Sequence, residues 1–216
     1  MKLFALIAGL ASMKAAIDRH DVDEAIRQGT LAGPAVVLEA LRDHDRTAQL
    51  AGIAAAPRVE DRAELLARLA AVAAGADRRT AIPAARAARQ IARELGAQSP
   101  HDDLAGEELG AWHDAWLALA ARRDRWIELR VVALDVAAAL GDVPLSSDPD
   151  PAIRRAAIEL QPTPTPRRAE LAAVVATDAD DRVALAAAGV LCLDGTFDAL
   201  DATGKQRLAA LAYRCP

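Results

Sequence analysis

Asp148-Pro-Asp-Pro-Ala-Ile-Arg-Arg-Ala-Ala157 is the stretch that decides the fold. It reads as a turn that opens a helix. An aspartate ending a turn caps the orphan N–H groups of the helix that follows. Its charge also suits the positive end of the helix dipole. The alanines one and two turns later let a neighbouring helix come close, and the isoleucine between them fills the shared core.

The same pattern recurs outward from this stretch. Asp178-Ala-Asp-Asp-Arg-Val-Ala-Leu-Ala-Ala187 is a second copy and Asp43-His-Asp-Arg-Thr-Ala-Gln-Leu-Ala51 a third. Asp124-Arg-Trp-Ile127 opens a fourth, and Asp77-Arg-Arg-Thr-Ala-Ile82 is a looser fifth. The anchors Ala48, Ile82, Ile127, Ile153 and Val183 lie roughly 26 to 45 positions apart, the period of helical solenoids. Between the copies Pro and Gly act as punctuation, including Gly29, Pro57, Gly75, Gly96 and Gly141. Leu65, Leu66, Leu69 and Val72 form one helical stripe. Ile127, Val131, Leu134 and Ala138 form another, with Leu129, Val132 and Val136 on a second face, so that helix is expected to be central.

Asp-x-Asp-x-x-Val/Ile followed by paired alanines, after a Leu-rich helix, resembles the second helix of a HEAT repeat of the degenerate, bacterial type. The resemblance is best over 148–193 and good over 36–95. It implies an all-α, right-handed α–α superhelix. The expected organisation is one domain over 1–216, with end caps at 1–35 and 194–216, repeats at 36–95 and 111–193, and an insertion loop at 96–110. Insertions of this kind carry recognition in some solenoids and are tolerated surface in others. The family implies a non-catalytic scaffold with a protein partner.

Composition supports the fold class and excludes others. The chain has 216 residues, 53% hydrophobic but only 3% aromatic. Roughly a quarter is alanine, and there is no asparagine. A β-sandwich or barrel requires more β-branched and aromatic residues, and a disordered chain requires less apolar content. Net charge is −5, from 26 Lys+Arg against 31 Asp+Glu, which argues against bulk nucleic-acid or anionic-membrane binding. No apolar run is long enough to cross a membrane. There is no phosphate loop, nucleophile elbow, zinc spacing or dinucleotide fingerprint, so no cofactor, catalytic or metal residues are assigned.

The first residues admit two readings. Met1-Lys2 and the apolar run to Met13 have the outline of a secretory signal. Leu3, Leu6, Leu10, Met13 and Ile17 also make one helical stripe, the favoured reading. The cytoplasm follows from the helix, and export to the periplasm follows if residues 1–15 are a signal. Cys192 ends a helix in apolar surroundings and is expected to be buried and inert. In a simple terminal hairpin, Cys215 would lie too far away to bridge to it.

Three groups of residues could carry chemistry or binding. Each of the four histidines precedes an aspartate: His20-Asp21, His44-Asp45, His101-Asp102 and His113-Asp114. Such pairs resemble the ligands of HD-type metal phosphohydrolases, but most fall where Asp is wanted as a helix cap. Arg86, Arg89 and Arg93 share one helix face, with further clusters at Arg78-Arg79, Arg122-Arg123-Arg125, Arg154-Arg155 and Arg167-Arg168. They offer a basic track for an acidic protein segment, phosphate or nucleic acid, or else partners for turn aspartates of the next copy. Trp112, Trp116 and Trp126 offer either a binding patch or core filling between Ala-rich helices. The candidate surface is therefore Arg86, Arg89, Arg93, Trp112, His113, Trp116, Arg123 and Trp126.

Overall fold

Helix propensity and Asp capping dominate the chain, and the outcome is all-α. The structure, a computed structural model, describes residues 2–60, 64–97 and 106–215. These form twelve α-helices and no strand among the described residues. They group into two compact units, residues 1–141 and 142–216.

The first unit contains α1 (Lys2–Asp18), α2 (Val22–Ala32), α3 (Pro34–Arg42), α4 (Arg46–Ala55), α5 (Leu65–Ala73), α6 (Arg78–Ala97), α7 (Gly106–Ala121) and α8 (Ile127–Leu140). Neighbours in sequence pack on one another: α1 on α2, α3 on α4, α5 on α6 and α7 on α8. In addition α4 packs on α6, and α6 on α8. The second unit contains α9 (Pro151–Glu159), α10 (Arg168–Thr177), α11 (Asp181–Leu193) and α12 (Ala202–Ala210). Here α11 packs against α9 and α10, and α12 against α10.

The N-terminal segment is a packed helix. Met13 and Ala16 are fully buried with Ala25, Val36, Ala40 and Ala51, and Leu10 and Ile17 lie against that cluster. The side chains of Leu3 and Leu6 fall outside the described residues. The second unit has its own core of Ile158, Leu171, Val175, Val183, Leu191 and Leu208. Complete burial of a leucine such as Leu171 contributes roughly 1.5–3 kcal/mol.

The turn pattern is built as its chemistry suggests. Before α4, Asp43 Oδ1 accepts from the Asp45 N–H at 2.9 Å, and Asp45 Oδ1 accepts from the Thr47 N–H at 2.8 Å. Before α9 the same two bonds link Asp148 to Asp150 and Asp150 to Ala152, at 2.9 and 2.8 Å. Before α11 they link Asp178 to Asp180 and Asp180 to Arg182, both at 2.9 Å. The first aspartate tightens the turn and the second caps the helix. Asp77 supplies only the capping bond, to the Arg79 N–H at 2.9 Å.

The Asp124 copy departs from this. The residue before α8 is Trp126, which makes no side-chain cap bond. Asp124 instead accepts from the Arg122 guanidinium at 3.1 and 2.7 Å. The helix therefore starts later than the pattern predicts. Ile127 becomes its first residue and is 47% exposed, whereas the anchors Ala48, Ile153 and Val183 are buried. The rest of α8 is central as expected, with Leu129, Val132, Leu134 and Val136 buried.

Two glycines read as punctuation prove to be packing positions inside helices. α2 runs through Gly29, where a Cβ would lie 3.3 Å from Met13 Sδ. α6 runs through Gly96, where a Cβ would lie 2.7 Å from the Ala139 carbonyl of α8. Glycine there admits the close approach of the two helices. Gly33 is a true break, at φ +88 between α2 and α3.

The cysteines also depart from expectation. Cys192 and Cys215 form a disulfide, with Cα atoms 5.7 Å apart. The terminal segment is not a simple hairpin, because α12 stops at Ala210 and packs on α10. Ala212 then takes a left-handed conformation, φ +52, and the Tyr213 N–H closes back on the Leu208 carbonyl at 2.9 Å. That is a Schellman stop. It returns the tail to α11 and the 3-10 turn Phe197–Ala199 that follows it, where Tyr213 stacks on Phe197 and brings its hydroxyl near Gly189 of α11. Cys192 is half-buried, and it is bridged where an inert buried thiol was expected.

Candidate functional site

Several arginines of this chain hold the fold together. Arg154 binds Asp178 through two nitrogens, both at 2.8 Å. Arg168 reaches Asp194 at 2.8 Å, and Arg167 reaches Asp142 at 2.5 Å. Others end helices by donating to their last carbonyls: Arg68 to Leu41, Arg130 to Ala120 and Arg207 to Val175. Such donors satisfy groups that a helix terminus leaves open.

α6 carries a row that also borders open space. Its sequence places Arg86, Arg89 and Arg93 at i, i+3 and i+7, and all three line one open groove of about 780 Å³. The groove lies between α6 and the segment formed by α4 and the 3-10 turn Ala56–Arg58. Its floor is apolar: Leu50, Ile53 and Pro57 from the α4 side, Pro83 and Ala87 from α6. Pro83 lies inside α6 and has no N–H to give the helix ladder. Arg58 adds a further exposed cation from the α4 side.

The arginine row is also engaged from α8. Arg86 donates to Glu128 at 2.5 Å, and Arg78 donates to the other oxygen of that carboxylate at 3.3 Å. Arg93 donates to both oxygens of Asp135 at 2.9 and 2.8 Å, and Arg89 to one of them at 3.4 Å. Four cations thus share two carboxylates, and with Glu94 also lining the groove the row still keeps a positive balance within a chain of net charge −5. The side chains of Arg86 and Arg93 remain 59% exposed. Exposed pairs such as Arg86–Glu128 add little stability.

The remaining members of the candidate surface do not assemble with the arginines into one site. Trp116 is fully buried, which removes it from any surface and assigns it to the core of α7. Its i, i+4 partner Trp112 is half-buried, as is Trp126. Arg123 is exposed in the turn between α7 and α8. His113 lies with its ring against Gly141 and its Nδ1 3.1 Å from Asp114 Oδ1.

The other His-Asp pairs are divided between turn and cap. Asp21 accepts from the Glu24 N–H at 3.0 Å and caps α2, while His20 occupies the left-handed position, φ 63, that ends α1. Asp45 caps α4. His101-Asp102 lies outside the described residues, as does most of the 96–110 insertion. No group of three His, Cys, Asp or Glu side chains is placed to hold a metal ion among the described residues. No described helix is long and apolar enough to cross a membrane.

Sequence reasoning found the arginine row but missed the groove floor. The signal was Leu50, Ala54 and Pro57 at i, i+4 and i+7, a second apolar stripe beside the buried face of Ala48, Ala51 and Ala55. No family model matches the chain, and no curated protein or solved structure matches it.

Proposed function

We propose that this protein is a non-catalytic interaction scaffold, with HEAT-like repeats as its structural unit and another protein as its ligand. The observation that carries the reading is the groove between α4 and α6, where an apolar floor is left open beside a row of guanidinium groups. Apolar area flanked by arginine is the composition of protein-binding surfaces. The repeated turn supports the repeat assignment, because the same two hydrogen bonds open α4, α9 and α11. The Cys192–Cys215 bridge favours an oxidising compartment over the cytoplasm.

The test is site-specific photocrosslinking in the source cells. A photoreactive residue at Leu50 should capture a discrete protein, and one at the exposed Lys205 of the second unit should not. Equal labelling from the two positions, or none from Leu50, would overturn the reading.

A further inference from the structure

We propose that the α4–α6 groove receives an amphipathic helix bearing carboxylates at i and i+7 along one edge of its apolar stripe. The inference rests on the protein-binding reading above and adds the chemistry of the partner.

The structure contains the precedent. α8 lies against α6, and its Glu128 and Asp135, seven residues apart, engage Arg86 and Arg93, also seven residues apart. The i, i+7 spacing of roughly 10 Å along a helix is therefore already matched, acid to arginine, between two packed helices of this chain. The opposite flank of the arginine row faces the groove, where no helix among the described residues fills the space. From Pro83 to Glu94 the groove follows α6 for eleven residues, roughly 16 Å, which accommodates about three turns of a helix.

Charge selects the occupant further. Three carboxylates, Glu94 on the groove itself and Glu128 and Asp135 on α8, do not neutralise the four arginines of α6 together with Arg58 from the α4 side. A helix with an acidic edge supplies the missing anions, while its leucines cover Leu50, Ile53 and Ala87. A basic helix would meet like charge at the same spacing. Nucleic acid would satisfy the arginines but leave the apolar floor uncovered.

The experiment uses the full chain and three labelled synthetic peptides of one length with the same leucine stripe. Their edge positions carry Glu, Gln or Lys, and binding is read by fluorescence anisotropy. The Glu peptide should bind at least tenfold more tightly than the Gln peptide, and the Lys peptide should bind least. Raising salt should weaken the Glu peptide alone. R86E combined with R93E should abolish its advantage, and R86K with R93K should retain most of it. Both pairs of substitutions fall on exposed side chains, and circular dichroism checks that they fold. Filling the floor with A87W should block the Glu peptide as well.

Equal affinity for the three peptides overturns the proposal, yet leaves the scaffold reading standing on its crosslinking test. Failure of all three to bind also overturns it. So does tighter binding of a single-stranded oligonucleotide that competes with the Glu peptide and survives A87W.

Discussion

The turns before α4 and α11 share their backbone design and differ in the cation that completes it. In each, one aspartate bonds to the N–H of the next, and the second aspartate caps the helix. The outer oxygen of Asp43 then takes Lys14 at 2.5 Å, with the lysine 47% exposed. The corresponding carboxylate of Asp178 takes Arg154 in a two-point contact, with the side chains only 16% and 10% exposed. Arg154 also donates to the carbonyls of Asp148 and Pro149, so it ties the turn before α9 to the turn before α11. Lys14 has a single point charge on a flexible stem and cannot join two turns in this way. The aspartate pair sets the local turn, and the cation decides whether that turn becomes a joint between copies.

The largest expected effect follows from this difference. D178A removes a turn bond and leaves Arg154 without its carboxylate in half-buried surroundings. It should destabilise the second unit by ~2–3 kcal/mol. D43A removes the same turn bond but frees an exposed lysine, and should cost only ~1 kcal/mol. Urea denaturation followed by circular dichroism measures both. Equal losses would break the distinction between the two turns. The caps should not share the asymmetry: D45A and D180A should each cost ~1 kcal/mol, because each leaves helix N–H groups without their acceptor.

Acid titration sharpens the same contrast. The Arg154 guanidinium, aided by the Asp180 N–H, holds the Asp178 carboxyl below its ordinary value of 3.8. Lys14, with the Asp45 N–H, does the same for Asp43. A depressed folded-state pKa means that the unfolded chain binds the proton more tightly. The pair's contribution is then complete above the ordinary value and is lost as pH falls through the depressed one. Wild-type stability should therefore fall with acid more steeply than that of D178N, whose amide keeps the turn acceptor but has no proton to take up in this range. Parallel pH profiles for the two proteins would remove Arg154–Asp178 as a source of acid sensitivity.

How far the chain could be read in advance follows the same division between local and tertiary chemistry. Caps at Asp45, Asp150 and Asp180 were legible because an aspartate and a helix start are neighbours in sequence. The pairing of an arginine in one copy with a turn aspartate in the next was legible as a class, and Arg154–Asp178 is its clearest instance. Asp124 was misassigned because two flanking arginines compete for its carboxylate, a balance that spacing alone does not express. The disulfide was missed because a left-handed alanine, at a position where glycine is usual, reverses the tail after α12. At the candidate site the arginine row follows from helical periodicity. The groove beside it depends on how far α4 stands from α6, and that distance is a property of packing.

The smallest effect belongs to Lys14, and salt isolates it. Asp43 holds the lysine pKa above its ordinary value, so the pair is ionised throughout the neutral range. An exposed pair of this kind gains little against the entropy of fixing a long side chain, and K14A should cost no more than ~0.5 kcal/mol at low salt. Near 1 M salt the screening length shortens to about 3 Å, so that cost should vanish. R154A under the same conditions should keep most of its loss, because its contacts are half-buried and include two carbonyl acceptors that salt does not compete for. The replacement K14R tests whether geometry or burial limits the first turn. If arginine at position 14 raises stability by as much as Arg154 contributes, the weakness lies in the lysine headgroup. If it changes nothing, exposure sets the limit, and the turn before α4 is a helix cap whose ion pair adds almost no stability.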